Sequence, residues 1–135
     1  MNLVNELLAE FQITNVSEDA SGVTWFTTGN LDLRNLASFL KQMGARFVTI
    51  TANELPRDEG FCLEYLWDCD GRLLGFPFYP PEKSMPGICD ICEAADWIER
   101  EIHEEYAIEF QGHEYDPLLL RAGQRPGVNL HEVAK

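Results

Sequence analysis

Basic residues are scarce in this chain: 10 Lys and Arg stand against 23 Asp and Glu, for a formal net charge of -13 over 135 residues. So acidic a surface repels phosphate backbones and anionic headgroups, which argues against nucleic-acid binding and polybasic membrane attachment. Also lacking is any apolar run near the roughly 20 residues of a spanning helix, so no direct membrane insertion is expected. The opening Met1-Asn2-Leu3-Val4-Asn5-Glu6 carries no basic region of the kind a secretion signal needs, and the expected location is cytoplasmic. Cysteine is limited to Cys62, Cys69, Cys89 and Cys92, too few for a disulfide scaffold, so these are expected as reduced thiols. Missing as well are a Gly-rich phosphate loop, a nucleophile elbow and an iron–sulfur cysteine run, and no cofactor is expected on the chain.

What is present fits one domain with a single core. Leu3, Val4, Leu7, Leu8 and Phe11 fall at helical spacing, and Gly22 separates two modest strands, Ile13 to Val16 and Val23 to Thr28. Leu33, Leu36, Ala37 and Leu40 predict a second helix, with Asn30 as its cap and Gly44 as its left-handed stop. Phe47 to Ala52 reads as a strand. The clearest hairpin pairs Phe61 to Cys69 with Arg72 to Tyr79 across Asp70-Gly71, and Pro77 implies that the return strand ends there or lies at a sheet edge. Pro80 to Gly87 reads as a loop. A third helix is expected from Cys92 to Tyr106, with Ile91, Ala95, Ile98, Ile102 and Tyr106 on its apolar face. A short extended stretch, Ala107 to Phe110, then leads to a turn at Gly112 that presents His113. The expected architecture is α+β, helices packed on a small mixed sheet, with a domain over residues 1–122 and a tail over 123–135.

Charge is concentrated where this third helix lies. Residues 89–116 hold ten acids and one base, Arg100, so 28 residues carry -9 of the -13. Asp96 and Glu104 each stand four residues from Arg100, the spacing of helical ion pairs. Cys89-x-x-Cys92 has the spacing of zinc or dithiol sites, but no second pair exists to complete a zinc site. In a strand, moreover, Cys62 and Cys69 face opposite ways, so small apolar cysteines are the expectation. His103-Glu104-Glu105-Tyr106-Ala107 departs from a zincin helix because Ala107 stands where the second histidine is required. Glu99 and Glu104 could serve acid and base chemistry only in a cleft, which the sequence does not supply. Trp25, Trp67 and Trp97 lie in periodic segments and read as core residues.

The order of residue types from Trp97 to Leu120 is specific. An aromatic residue, Glu-Arg-Glu, an acid, a Gly-Ile-like pair, Phe, Gly-His and a leucine close fall on Trp97, Glu99-Arg100-Glu101, Glu104, Ala107-Ile108, Phe110, Gly112-His113 and Leu118-Leu119-Leu120. This resembles the signature of the thirty-kilodalton subunit family of NADH-quinone oxidoreductase, or complex I, together with the counterpart small subunit of energy-converting NiFe hydrogenases. Leu36 to Ile50 resembles the family's helix and the strand that follows it. Ala107 replaces the family's usual Gly, Glu114 replaces its Pro, and Tyr115-Asp116-Pro117-Leu118 stands in place of a basic pair.

The resemblance implies a non-catalytic scaffold that packs on the large catalytic subunit of such a complex at the cytoplasmic face of the membrane. Glu99, Arg100, Glu101, Glu104, Gly112, His113, Leu118, Leu119 and Leu120 would form the docking surface, with no catalytic or metal residue. Two rivals predict otherwise. A stand-alone thiol or zinc protein would use Cys89 and Cys92, and a free acidic adaptor would bind an unrelated basic partner.

Overall fold

Apolar side chains at helical spacing wind Leu3–Phe11 into α1 and Leu33–Gln42 into α2. These elements come from a computed structural model that describes residues 3–113 except 12, 14, 15 and 30. The cap of α2 is Asp32, whose carboxylate accepts from the Asn35 amide at 3.1 Å; Asn30, the expected cap, lies outside the described residues. Gly44, at φ +85°, supplies the left-handed stop.

Five strands form the main sheet: β1 (Val16–Glu18), β2 (Thr24–Phe26), β3 (Arg46–Glu54), β4 (Phe61–Cys69) and β5 (Arg72–Phe78). Their spatial order is β1-β2-β5-β4-β3, with β2 parallel to β5 and the other neighbours antiparallel. The sheet is therefore mixed, and among the described residues three α-helices pack on it as an α+β fold. Asp70 and Gly71, both at positive φ, make the two-residue turn between β4 and β5, and the Asp68 carboxylate accepts from the Gly71 amide.

Alternation sets the core. Phe61, Leu63, Tyr65 and Trp67 turn to the interior of β4 and meet Leu74, Phe76 and Phe78 of β5. Trp67 packs edge-on against Phe47 and Phe76, and each such buried ring adds roughly 2–3 kcal/mol of hydrophobic stabilisation. Leu7 of α1 and Leu36, Ala37 and Leu40 of α2 belong to the same core. Ala95 and Ile102, from the helix α3 (Ala95–Tyr106), complete it.

At several points the fold departs from the sequence expectation. β1 begins at Val16 and runs through exposed Ser17 and Glu18, so its pairing leaves no hydrophobic signature. The return strand β5 continues through Pro77 as an inner strand. Its last pair with β2 is Trp25 with Gly75, so at Pro77 that flank is locally an edge and tolerates a missing amide hydrogen. Residues 84–86, expected as loop, form β6 (Ser84–Pro86), which runs parallel to β7 (Glu109–Gln111) as a separate two-stranded sheet. Of the three tryptophans only Trp67 is a core residue. Trp25 is half-buried against Gly75, where an added Cβ would sit 2.4 Å from the ring, and Trp97 is exposed.

Candidate functional site

The charged segment folds around one junction. After β6, residues 88–95 make two tight turns that lead into α3, pinned by Cys92 N–H donating to Ile88 O and Ala95 N–H to Cys92 O. Helix α2 grips the same turns from the other side. The Arg34 guanidinium donates to both oxygens of Asp90 at 2.7 and 2.9 Å and to Gly87 O at 2.6 Å, while Lys41 Nζ reaches Ile91 O at 2.9 Å. Gly87 N–H donates to Gln111 O, which ties the loop to the end of β7.

At the centre is Glu99, with no solvent exposure. Its Oε2 accepts from the Ile88 amide at 2.8 Å, and its Oε1 lies 2.8 Å from His113 Nδ1. Burial raises the Glu99 carboxyl above its ordinary value, and the Ile88 and His113 hydrogen bonds pull it back toward the charged form. The His113 side chain is itself only 2% exposed, and its Nε2 lies 2.7 Å from Asp96 Oδ1, an ion-pair distance without the alignment of a hydrogen bond. Asp96 in turn binds Arg100 through Nε at 3.2 Å and Nη2 at 2.9 Å. A continuous polar chain thus runs from the Ile88 amide through Glu99, His113 and Asp96 to Arg100.

The signature residues divide by burial. Glu99, Glu104 and His113 are buried, Arg100 is half-buried, and Glu101 and Gly112 are exposed. Leu118, Leu119 and Leu120 lie outside the described residues. Trp97, 59% exposed, shares a helical stripe with Arg100 and Glu101 at i+3 and i+4. Sequence periodicity assigns the apolar face to Ile98, yet Ala95, Glu99 and Ile102 also fit that face at i, i+4 and i+7; the burial of Glu99 is legible in spacing and masked by its charge.

Ala107 ends α3 in the left-handed region, at φ 59° and ψ 30°, with its amide donating to His103 O. A glycine suits such a position, so the departure from the resembled pattern falls where a side chain is strained. His103 Nδ1 lies 3.0 Å from Ile108 O, which helps close the same corner.

The cysteines do not converge. Cys62 and Cys69 lie on opposite faces of one strand. Cys92 turns its sulfur toward the indole N–H of buried Trp67, while Cys89 opens toward Asp96 and His113. Burial pushes the Cys92 thiol up. At Cys89 burial and the nearby Glu99, Asp96 and Asp90 do the same, the reverse of what a reactive dithiol requires.

Against known proteins, the decisive match is to the family described as respiratory-chain NADH dehydrogenase, 30 Kd subunit, over residues 26–128. The chain belongs to that family. Nqo5, as a trypsin-resistant fragment (1-134), matches this 30 Kd-type subunit with a TM-score of 0.68 at 22% identity, covering 84% of this chain and 98% of that one. A chain of the membrane-bound sulfane sulfur reductase, an archaeal respiratory membrane complex, matches with a TM-score of 0.71 at 22% identity, covering 90% of this chain and 76% of that one. At such identity the structural likeness establishes the fold. No curated protein sequence matches significantly. The family is that of subunits of complex I-like respiratory assemblies. Among the described residues, no helix of this 30 Kd-type subunit is long and apolar enough to cross a membrane.

Proposed function

We propose that this chain is a non-catalytic scaffold subunit that docks on the large catalytic subunit of a membrane-associated NADH:quinone oxidoreductase-like or energy-converting hydrogenase complex. It acts at the cytoplasmic face and supports electron transfer coupled to ion translocation through assembly, with no active site of its own. The observation that carries this reading is Trp97, a large aromatic left exposed in the first turn of the family's signature helix, one turn before Arg100 and Glu101. Interface energy concentrates in Trp, Tyr and Arg side chains that become buried on binding, so this stripe has the composition of a docking centre.

The signature residues have two roles in this reading. Trp97, Arg100 and Glu101 meet the partner, and Gly112 starts the segment that delivers Leu118, Leu119 and Leu120 to it. Glu99, Glu104 and His113 act from inside, holding that surface in one geometry. The departures at Glu114 to Leu118 then mark this chain's particular partner, because like charges across an interface are costly. Arg100→Glu and Trp97→Ala should each reduce recovery of the large subunit in affinity purification by about tenfold or more. Recovery at unchanged yield and unchanged salt sensitivity would overturn the docking role. Co-elution of an unrelated basic protein in place of a dehydrogenase or hydrogenase subunit would favour the free adaptor instead.

A further inference from the structure

We propose that Cys89 Sγ, an Asp96 carboxylate oxygen and His113 Nε2 bind a divalent transition-metal ion of the zinc class, with water completing its coordination. This donor set differs from the Cys89-x-x-Cys92 pair that sequence spacing singles out, because it takes one cysteine only. The three donor atoms lie within 4.8 Å of one another and come from three separate segments: the turn after β6, the first turn of α3 and the residue after Gly112. A tetrahedral ion with bonds of about 2.0 Å to N and O and about 2.3 Å to S spaces its donors at about 3.3–3.7 Å. Starting from 2.7 Å between Asp96 and His113 and at most 4.8 Å for the set, shifts of about an ångström reach that geometry.

The histidine is held as a ligand would be. Its Nδ1 faces the buried Glu99 carboxylate, itself fixed by the Ile88 amide, which leaves Nε2 directed toward Cys89 and Asp96. A carboxylate on the far nitrogen is the arrangement that orients metal-bound histidines and makes them better donors. Charge favours the ion as well: Cys89, Asp90, Glu93, Asp96 and His113 line one open recess of about 420 Å³ with Gly112, and buried Glu99 lies behind it. The cations nearby are committed, Arg34 to Asp90 and Arg100 to Asp96. Asp96 Oδ1, which now accepts from Arg100 Nε at 3.2 Å, would turn to the metal while Oδ2 keeps Nη2 at 2.9 Å, so the ion would join the turn after β6, α3 and His113 with the stronger half of that pair retained.

The probe is Co(II), added to the full chain after treatment with chelator. One equivalent should produce a thiolate-to-cobalt charge-transfer band in the near ultraviolet and the intense visible bands of a tetrahedral ion, both removed by excess Zn(II). Cys89→Ser should abolish the charge-transfer band, and Asp96→Asn, altering a partly exposed side chain, should weaken affinity by about tenfold or more while circular dichroism stays native. Cys92→Ser should leave band and affinity intact. A wild-type chain that gives no thiolate band, a band that survives in Cys89→Ser, or a band lost in Cys92→Ser would each overturn the site.

Discussion

Two interiors of this molecule are equally hidden from water and are built on opposite terms. Between sheet and helices, Leu63, Tyr65, Trp67 and Phe76 are fully buried and held by apolar contact, which is non-directional. At the junction of α3 with the turns before it, Glu99 and His113 are as well buried, yet each depends on particular atoms at particular distances. The apolar interior follows from the number and spacing of apolar residues. The polar one needs an acid, a histidine and a free amide brought together from three places in the chain, so it fixes one arrangement of α3 against its neighbours.

Same-sized apolar replacement gives the sharpest test of that contrast. Leu63→Met should cost under about 1.5 kcal/mol in chemical denaturation, since volume and chemistry are kept. Glu99→Met should cost about 2–4 kcal/mol, because it leaves the Ile88 amide and the His113 ring buried beside a methionine. Equal losses would show that the junction is only filler. A smaller effect of opposite sign is expected at the corner after α3: Ala107→Gly should stabilise the protein by about 1 kcal/mol, because the left-handed backbone there strains a side chain. No gain in thermal midpoint would mean that the corner has adapted to alanine.

The smallest expected effect lies at the exposed turn of the edge hairpin. Asp19, between β1 and β2, accepts from the Trp25 indole, Ser21 and the Val23 amide, and these hydrogen bonds, Trp25 first, lower its carboxyl to about 2. A lowered folded value means that its contribution is present above the ordinary carboxylate range and is lost as pH falls through that range toward 2. The thermal midpoints of wild type and Asp19→Asn should therefore differ at neutral pH and converge in acid. A gap that persists below pH 2 would refute the assignment.

Strong local patterning makes part of this fold legible. Alternation from Phe61 to Cys69 and the Asp70-Gly71 turn yield the central hairpin, and Leu33, Leu36, Ala37 and Leu40 yield α2. Beyond those elements the signal thins. β6 and β7 are three residues each and pair across 25 positions of sequence, so neither holds enough alternation to show itself. Helix α3 begins three residues later than its periodicity predicts, because the turns at Ile88 to Cys92 make helix-like bonds without continuing into it. At the site, residue types single out Glu99, Arg100 and His113, and the family signature gives their grouping. What they do for one another is not legible, because the Ile88 amide that fixes Glu99 is a backbone group and any residue type could have supplied it. Trp97 escapes recognition as a surface residue because a tryptophan in a periodic helix is, by composition alone, a core residue.

The parallel pairing of β6 with β7 also closes a loop. By zipping residues 84–86 to 109–111, it fixes the point at which the chain passes His113, a side chain anchored in the interior. Residues 87–108, which carry Trp97, Glu99 and Arg100, are thereby closed into a loop whose two ends are paired. Parting those two strands would release both ends of the loop at once, so the turns after β6 and helix α3 are expected to open and exchange their amide hydrogens together.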